Sequence, residues 1–328
     1  MPNKTSKYVW QYQAAVGTSI LTIATSASFE FGEYNNECGK WSSPYPEFKS
    51  EASWVYGTLT PTLTNIAAQY PTFSIPFLPV TAQFLAWFLG LPTDTNPVET
   101  DTVTIVALTS GITYPLTIRN QQEGGTAPQN SQAVDCYCVG LLIKGEDEKK
   151  LLVETTFAWG TFEDIGDNVN LTTAPLAAGG LTKPYNGHPD VTWNVTSLTG
   201  VWRADVMLKK EYDVVDSDEG AIQTVYPGKI LPVQILLSAV LKQNTSWDDY
   251  KARTARTLTI TWKKFDATSY ITCTFTNAKV VSIKKTGHRN AGHYGAVMAL
   301  VAEKVEGLTD FFTEGGTTFA THWKANLA

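Results

Sequence analysis

Histidine and cysteine are the residues best suited to metal or redox chemistry, and this chain of 328 residues holds only four of each. His288 and His293, in HRNAGH, stand five apart around a glycine, whereas HExxH sets its two histidines on one helix face and adds a third ligand. The pair reads as a solvated turn. Cys136 and Cys138 alternate along an apolar strand and so share a face, which suits packed thiols. With Cys38 and Cys273 they make no CxxC, so neither a zinc ribbon nor a disulfide framework is expected.

Carboxylates are the next resource. Asp213, Asp216, Asp218 and Glu219 crowd one loop, but a calcium loop of the EF-hand kind needs ligands at positions one, three and five, a glycine at six and a closing glutamate. That order is absent, so the loop reads as solvated or facing a partner. The chain also lacks a Gly-rich phosphate loop, a GxSxG elbow and the kinase motifs. The expectation is a protein that is not an enzyme and uses no metal or other cofactor, with a small hydrolase of unusual motifs as a distant competitor. Ten tryptophans raise a different chemistry, since exposed indoles stack on sugars. They are scattered, mostly inside apolar patterns where packing explains them. A carbohydrate-binding or adhesive β-sandwich is therefore the alternative reading.

The elements that would position these residues are mostly strands. Aromatics make up 12% of the chain and charged residues only 17%, with Thr and Val recurring throughout, a composition that favours sheet. Period-two runs cover 20–31, 103–108, 114–119, 134–144 and 151–159, the last two joined by the charged tip GEDEKK. Further runs cover 191–195, 201–212, 230–241, 258–265, 270–286 and 294–305. Two segments read as helices, 80–91 and a short piece starting at Ser246, whose hydroxyl is placed to cap it and whose first turn holds Asp248 and Asp249. Residues 52–93 carry no charge, yet Pro76 and Pro79 leave too short a helix to cross a bilayer. No membrane span is expected, and with no signal-peptide core at the N-terminus the chain is expected to fold in a cytoplasm. Sequons at Asn3, Asn170, Asn194 and Asn244 would matter only where glycosylation occurs.

The element order occurs twice. Each half runs through a strand pair, a polar excursion, an apolar strand (FSIPFLP, then LPVQILLSAVL), a helix (TAQFLAWFLG, then SWDDYKAR) and three closing strands. The Gly-, Pro- and Thr-rich stretch around LTTAPLAAGGLTKPYNGH serves as linker. This gives a first domain over 1–165, a second over 166–306 and a C-terminal aromatic arm over 307–328. The first half holds 8 bases and 16 acids, the second 17 and 15. An overall charge of -6 leaves no basic footprint for tight nucleic-acid binding, and the asymmetry between halves would help head-to-tail neighbours attract.

This layout resembles the tail tube proteins, or major tail proteins, of long-tailed phages and related archaeal viruses, in the longer form that carries the tube fold twice. The carriers are the aromatic opening YVWQYQAAVGTSI, the hairpin CVGLLIKGEDEKKLLVETTFAWG, the linker and strand LTTAPLAAGGLTKPYNGHPDVTWN, and the closing run SYITCTFTNAKVVSIKKTGHRNAGHYGAVMALVAEKV. Where the family often has an acid, this opening has Ala14 and Ala15. The resemblance spans most of residues 8–306. It implies a mainly β fold: two tandem β-sandwiches, each with a flanking helix, whose inner sheets join into a ring-wide β-barrel. It also implies rings that stack into a virion tail tube, assembled in the host cytoplasm, through which DNA passes without specific binding. Tape measure, tail terminator and distal tail proteins are the implied partners. Two repeats per chain make a trimer the expected ring, ahead of a hexamer. An acidic wall would repel phosphate and let DNA slide.

Two kinds of segment are left over for contacts between subunits or rings. The polar excursions 35–50 and 213–225 are long for loops, which marks Asp213, Asp216, Asp218 and Glu219. The C-terminal segment carries Phe311, Phe312, Phe319 and Trp323, aromatic anchors that suit docking on a neighbour.

Overall fold

The computed structural model describes residues 6–13, 28–31, 47–53, 62–69, 72–80, 83–89, 101–105, 115–122, 129–165, 173–174, 184–216, 223–240, 245–264, 270–290 and 293–312. In chain order they form β1 (Ser6–Tyr12), β2 (Ser28–Glu30), β3 (Glu47–Ser53), β4 (Thr62–Gln69), β5 (Phe73–Phe77), α1 (Gln83–Leu89), β6 (Asp101–Ile105) and β7 (Leu116–Gln122). There follow β8 (Gln129–Glu146), β9 (Leu152–Ala158), β10 (Thr161–Asp164), β11 (Thr173–Ala174), β12 (Tyr185–Trp193), β13 (Thr196–Leu198), β14 (Val201–Asp216), β15 (Gln223–Ile230) and β16 (Val233–Val240). The last described elements are α2 (Thr245–Ala252), β17 (Arg256–Lys264), β18 (Tyr270–Asn290), β19 (His293–Ala302) and β20 (Lys304–Phe312). The protein is mainly β, as its composition predicts.

Hydrogen bonding sorts the strands into three large sheets. The first runs β11–β2–β1–β7–β8–β10. The second, shared by both halves, runs β5–β9–β8–β14–β16–β19–β18. The third runs β13–β12–β17–β18–β20–β6. Two hairpins, β3–β4 and the outer part of β14 with β15, stand apart from them.

The strands β8 and β18 each serve two sheets. Residues 129–136 of β8 lie in the first sheet and 137–146 in the shared one; residues 270–278 of β18 lie in the third and 279–290 in the shared one. Each makes the passage at a register shift, Cys138/Gly140 in β8 and Val280/Ser282 in β18, as expected of bulges that bend a strand from one sheet into another.

The repeated element order becomes a repeated set of partners. In the first half β1 pairs β7, β7 pairs β8, β8 pairs β9 and β10, and β5 pairs β9, all antiparallel. In the second half β12, β17, β18, β19, β20 and β16 repeat all five pairings in the same sense. The halves are then stitched together where residues 203–209 of β14 run against 140–146 of β8.

Alternation along each strand buries one face. Val153, Ile143, Val206, Ile235 and Leu300 belong to a single core with Trp10 and Ile118 of the first sheet and Trp193 and Trp262 of the third. Helix α1, apolar all round as a buried helix should be, inserts Trp87 between Trp10, with ring centroids 5.0 Å apart, and Phe157 at 6.2 Å. At the seam the third sheet comes so close that a side chain at Gly145 would place its Cβ 2.2 Å from Trp262 Nε1. Glycine is the residue that permits that approach.

Helix α2 is held by a buried carboxylate. Asp249, expected to favour the helix dipole, instead turns inward, where Trp193 Nε1 donates to Oδ2 at 2.8 Å and the Arg256 guanidinium donates to both oxygens at 3.0 and 3.1 Å. Arg256 holds its carboxyl below the ordinary range.

The β12–β13 turn is strained. Its two residues, Asn194 and Val195, both have positive φ, 46° and 66°, a geometry that favours Asn–Gly. A β-branched valine is poorly suited to it, and here the side chain is 95% exposed and gains nothing from packing. Val195→Gly is therefore expected to raise stability by about 0.5–1 kcal/mol, the relief of strain less glycine's added freedom when unfolded. A chemical-denaturation midpoint measures it, and an unchanged or lower midpoint would show that the turn carries no strain.

Candidate assembly surfaces

The shared sheet has one face on the core and one that points away from it. Register places the residues of that outer face in rows across the strands. One row runs Lys284, Val297, Ser238, Arg203, Glu146; the next runs Ser282, Ala299, Leu236, Asp205, Lys144, Leu152; a third runs Lys279, Val301, Gln234, Met207, Leu142, Glu154. The charges on this face are of both signs. Four bases and three acids stand in these rows, and several neutralise one another: Arg203 bonds Asp205 at 2.6 Å, and Lys144 lies 3.5 Å from Glu154. A shallow cavity of about 290 Å³ opens at the seam beside Lys144, Glu146, Arg203 and Asp205.

One end of this face is covered by the β14–β15 hairpin. Val214 and Val225, opposite each other, pack on Tyr137, Val139 and Ala158. The hairpin is the excursion that the sequence suggests is a loop, because its acids hide the alternation of Val214, Val225 and their neighbours. Asp213 sits on β14 opposite Tyr226, exposed, its Oδ1 accepting the Val214 N–H at 2.9 Å. Asp216 is the last residue of β14, while Asp218 and Glu219 lie outside the described residues. Sequence reasoning passed over the apolar side chains on the same hairpin, Val215 and Tyr226, each 55% exposed. The one available signal was the pattern TVYPG, with β-formers next to a turn.

The C-terminal segment begins as a strand. The boundary between 306 and 307 falls inside β20, which pairs β18 on one side and β6 on the other, with Phe311 opposite Tyr270 and Thr102 and Phe312 opposite Asp101. Of Phe311 and Phe312 only the backbone is described; Phe319 and Trp323 lie outside the described residues, as does most of the excursion at 35–50. His288 and His293 stand on facing strands at the β18–β19 hairpin.

Cys136, Cys138 and Cys273 are free and buried, and burial pushes all three thiols up, that of Cys138 to about 12, far from a reactive thiolate. Among the described residues no three His, Cys, Asp or Glu side chains gather as metal ligands. No described helix is long and apolar enough to cross a membrane.

No protein-family model and no curated protein matches the chain. Among solved structures it is similar to the anti-feeding prophage cap, the AFP tube terminating cap, at 16% identity over 37% of this chain and 87% of that one, with a TM-score of 0.30. It is likewise similar to a chain of the PVC sheath–tube complex, an extracellular contractile injection system in the extended state, at 15% identity over the same shares, with a TM-score of 0.28. Neither overlap is large enough to fix the fold, which rests on the strand pairing described above.

Proposed function

We propose that this chain is the building unit of a viral tail tube: a virion structural protein whose copies close into rings, the rings stacking into a conduit for DNA. The observation that carries the reading is the shared sheet. Two halves with the same five pairings are joined edge to edge through β8 and β14, so the chain already contains one junction of the kind a ring would repeat. A sheet that continues from copy to copy until it closes has no exposed edge. Halves 1–165 and 166–306 then act as two quasi-equivalent units, and three chains give a ring of six.

In this reading the open face of the shared sheet lines the conduit. Its interleaved charges leave it close to neutral, so it lacks the density of bases that holds phosphate by counterion release. The β14–β15 hairpin, which carries Asp213 and Asp216 on β14 and exposes Val215 and Tyr226, reaches toward a neighbouring ring, and the C-terminal segment 307–328 serves as the arm. Tape measure, terminator and distal tail proteins are the partners at the tube's ends. The chain acts without catalysis or cofactor, in the virion tail after assembly in the host cytoplasm.

The carbohydrate-binding alternative needs exposed indoles. Trp10, Trp87, Trp159, Trp193 and Trp262 are all buried, which removes half of the tryptophans as stacking platforms and favours the tube. Negative-stain microscopy of the purified chain, with mass measurement of isolated rings, tests the reading. Stacked rings of three chains are expected; rings of six would overturn the trimer, and a chain that stays monomeric when concentrated and instead retains glycans would overturn the tube.

A further inference from the structure

The two halves repeat down to the residue at which β8 and β18 bend. The pairs Tyr137–Ala158, Cys138–Phe157 and Gly140–Thr156 of β8 and β9 recur as Lys279–Val301, Val280–Leu300 and Ser282–Ala299 of β18 and β19. The match continues as far as Lys144–Leu152 and Thr286–Gly295. Both ladders skip one residue at the same step, Val139 in the first half and Val281 in the second. The two valines thus hold one position in the fold, yet Val139 is 4% exposed and Val281 54%. A lone exposed valine is ordinary. This one is singled out because its repeat is buried.

What buries the repeat is a hairpin. Val214 and Val225, opposite each other on β14 and β15, pack on Tyr137, Val139 and Ala158. That hairpin belongs to the second half and has its own repeat in the first, β3–β4. Ser50–Asn65, Glu51–Thr64, Ala52–Leu63 and Ser53–Thr62 recur as Tyr212–Pro227, Asp213–Tyr226, Val214–Val225 and Val215–Thr224, next to a register shift in each hairpin. Leu63 precedes Phe73 by as many residues as Val225 precedes Ile235, and Phe73 and Ile235 pair with Phe157 and Leu300, which are themselves repeats. Ala52 and Leu63 are therefore the counterparts of the two valines, and like them they form an apolar cross-strand pair among more polar neighbours.

Within one chain the hairpin of the second half covers the bulge of the first. The same relation, applied once more, joins the hairpin of a first half to the bulge of a second. We propose that the β3–β4 hairpin of a second copy of this chain seats on the β18 bulge, Ala52 and Leu63 over Val281 and Val301, as Val214 and Val225 seat on Val139 and Ala158. This rests on the tube reading and names a seam by which copies join. The contact is head-to-tail, each copy offering a hairpin to one neighbour and a bulge to the other, which is the kind of contact that closes into a ring when the rotation permits. The hairpin docks through a face, with its own two strands still paired.

The test links the two surfaces chemically in the full chain. The double variant Leu63→Cys, Val281→Cys is treated with a short bismaleimide and run on a denaturing gel, with each single substitution as control; Cys136, Cys138 and Cys273 are buried. Covalent dimers and higher multimers are expected from the double variant alone. Val281→Asp is expected to keep the parent's melt, because the position is solvated in the free chain. It should raise the protein concentration needed for rings at least about tenfold, because the seam would bury a carboxylate without a partner. Three results would each overturn the seam and leave the tube standing: rings of the double variant with no more multimer than the single ones, a link between positions 63 and 281 confined to one chain, or Val281→Asp rings at the parent's concentration. Multimers from a chain that never forms rings would do the reverse, keeping the seam and overturning the tube.

Discussion

Replacing Phe157 by alanine is expected to lower stability by about 3–5 kcal/mol, the loss typical of a large aromatic removed from a packed core. Phe157 is fully buried on β9, with ring centroids 5.6 Å from Phe73, 6.1 Å from Phe31 and 6.2 Å from Trp87. These neighbours come from β5, from the segment after β2 and from α1, so the cavity would open where three parts of the first half meet. A backbone paired on both sides by β5 and β8 has little room to collapse into it. Domains are stable by only about 5–15 kcal/mol, so the variant should melt far below the parent. Val281→Ala, at the exposed bulge of β18, is the control and should change stability by less than about 0.5 kcal/mol. A Phe157→Ala chain within about 1 kcal/mol of the parent by chemical denaturation would show that this cluster is not the core of the first half.

Replacing Lys210 by methionine should do the opposite. Lys210 lies on β14 where the register shifts toward the hairpin; it is 7% exposed, with Nζ 4.8 Å from the centre of the Phe88 ring. Burial lowers its pKa from the ordinary 10.5 to about 8, against a smaller opposing pull from Cys138. The sign follows from the two states. Below pH 8 both folded and unfolded chains hold the proton, and the folded one bears the full cost of a buried charge. Between about 8 and 10.5 the folded chain has released it while the unfolded chain has not, so stability rises with pH across that window. The whole effect is on the order of 3 kcal/mol, less roughly 1 for the lost contact between ammonium and ring. Lys210→Met is thus expected to gain about 2 kcal/mol at neutral pH and to flatten the alkaline rise. A parent whose stability falls between pH 8 and 10, or a variant with the same slope, would refute the assignment.

Much of the fold could be read from local pattern, because alternation and turn chemistry are local properties. The strands β8, β9, β14, β16, β17, β18 and β19 all coincide with runs that the alternation marks, α1 at 83–89 lies inside the expected 80–91, and α2 begins at Thr245, one residue before the expected cap Ser246. Choice of partner is a different matter. Nothing in the sequence of β14 distinguishes β8 as its neighbour, since any half-buried strand alternates in the same way and the seam is settled by which faces the other sheets cover. Strand β15 escaped notice because its outer side is solvated and acids surround it, and β20 because GLTDFF has no regular alternation to reveal it. At the candidate surfaces the charged residues were conspicuous as types, yet their interleaving across the shared sheet depends on pairings far apart in the chain.

The pairing of β6 with β20 bears on when the molecule can be completed. Ile105 meets Leu308, and Asp101 meets Phe312, so the third sheet draws one strand from early in the chain and another from near its end. During synthesis β6 emerges long before its partner β20. Sheets closed by such distant contacts form slowly, because the loop must be closed before any bond repays it. Strand β20 therefore joins β6 to β18 late, and a nascent chain halted before residue 304 has β6 and one side of residues 270–276 of β18 without that partner.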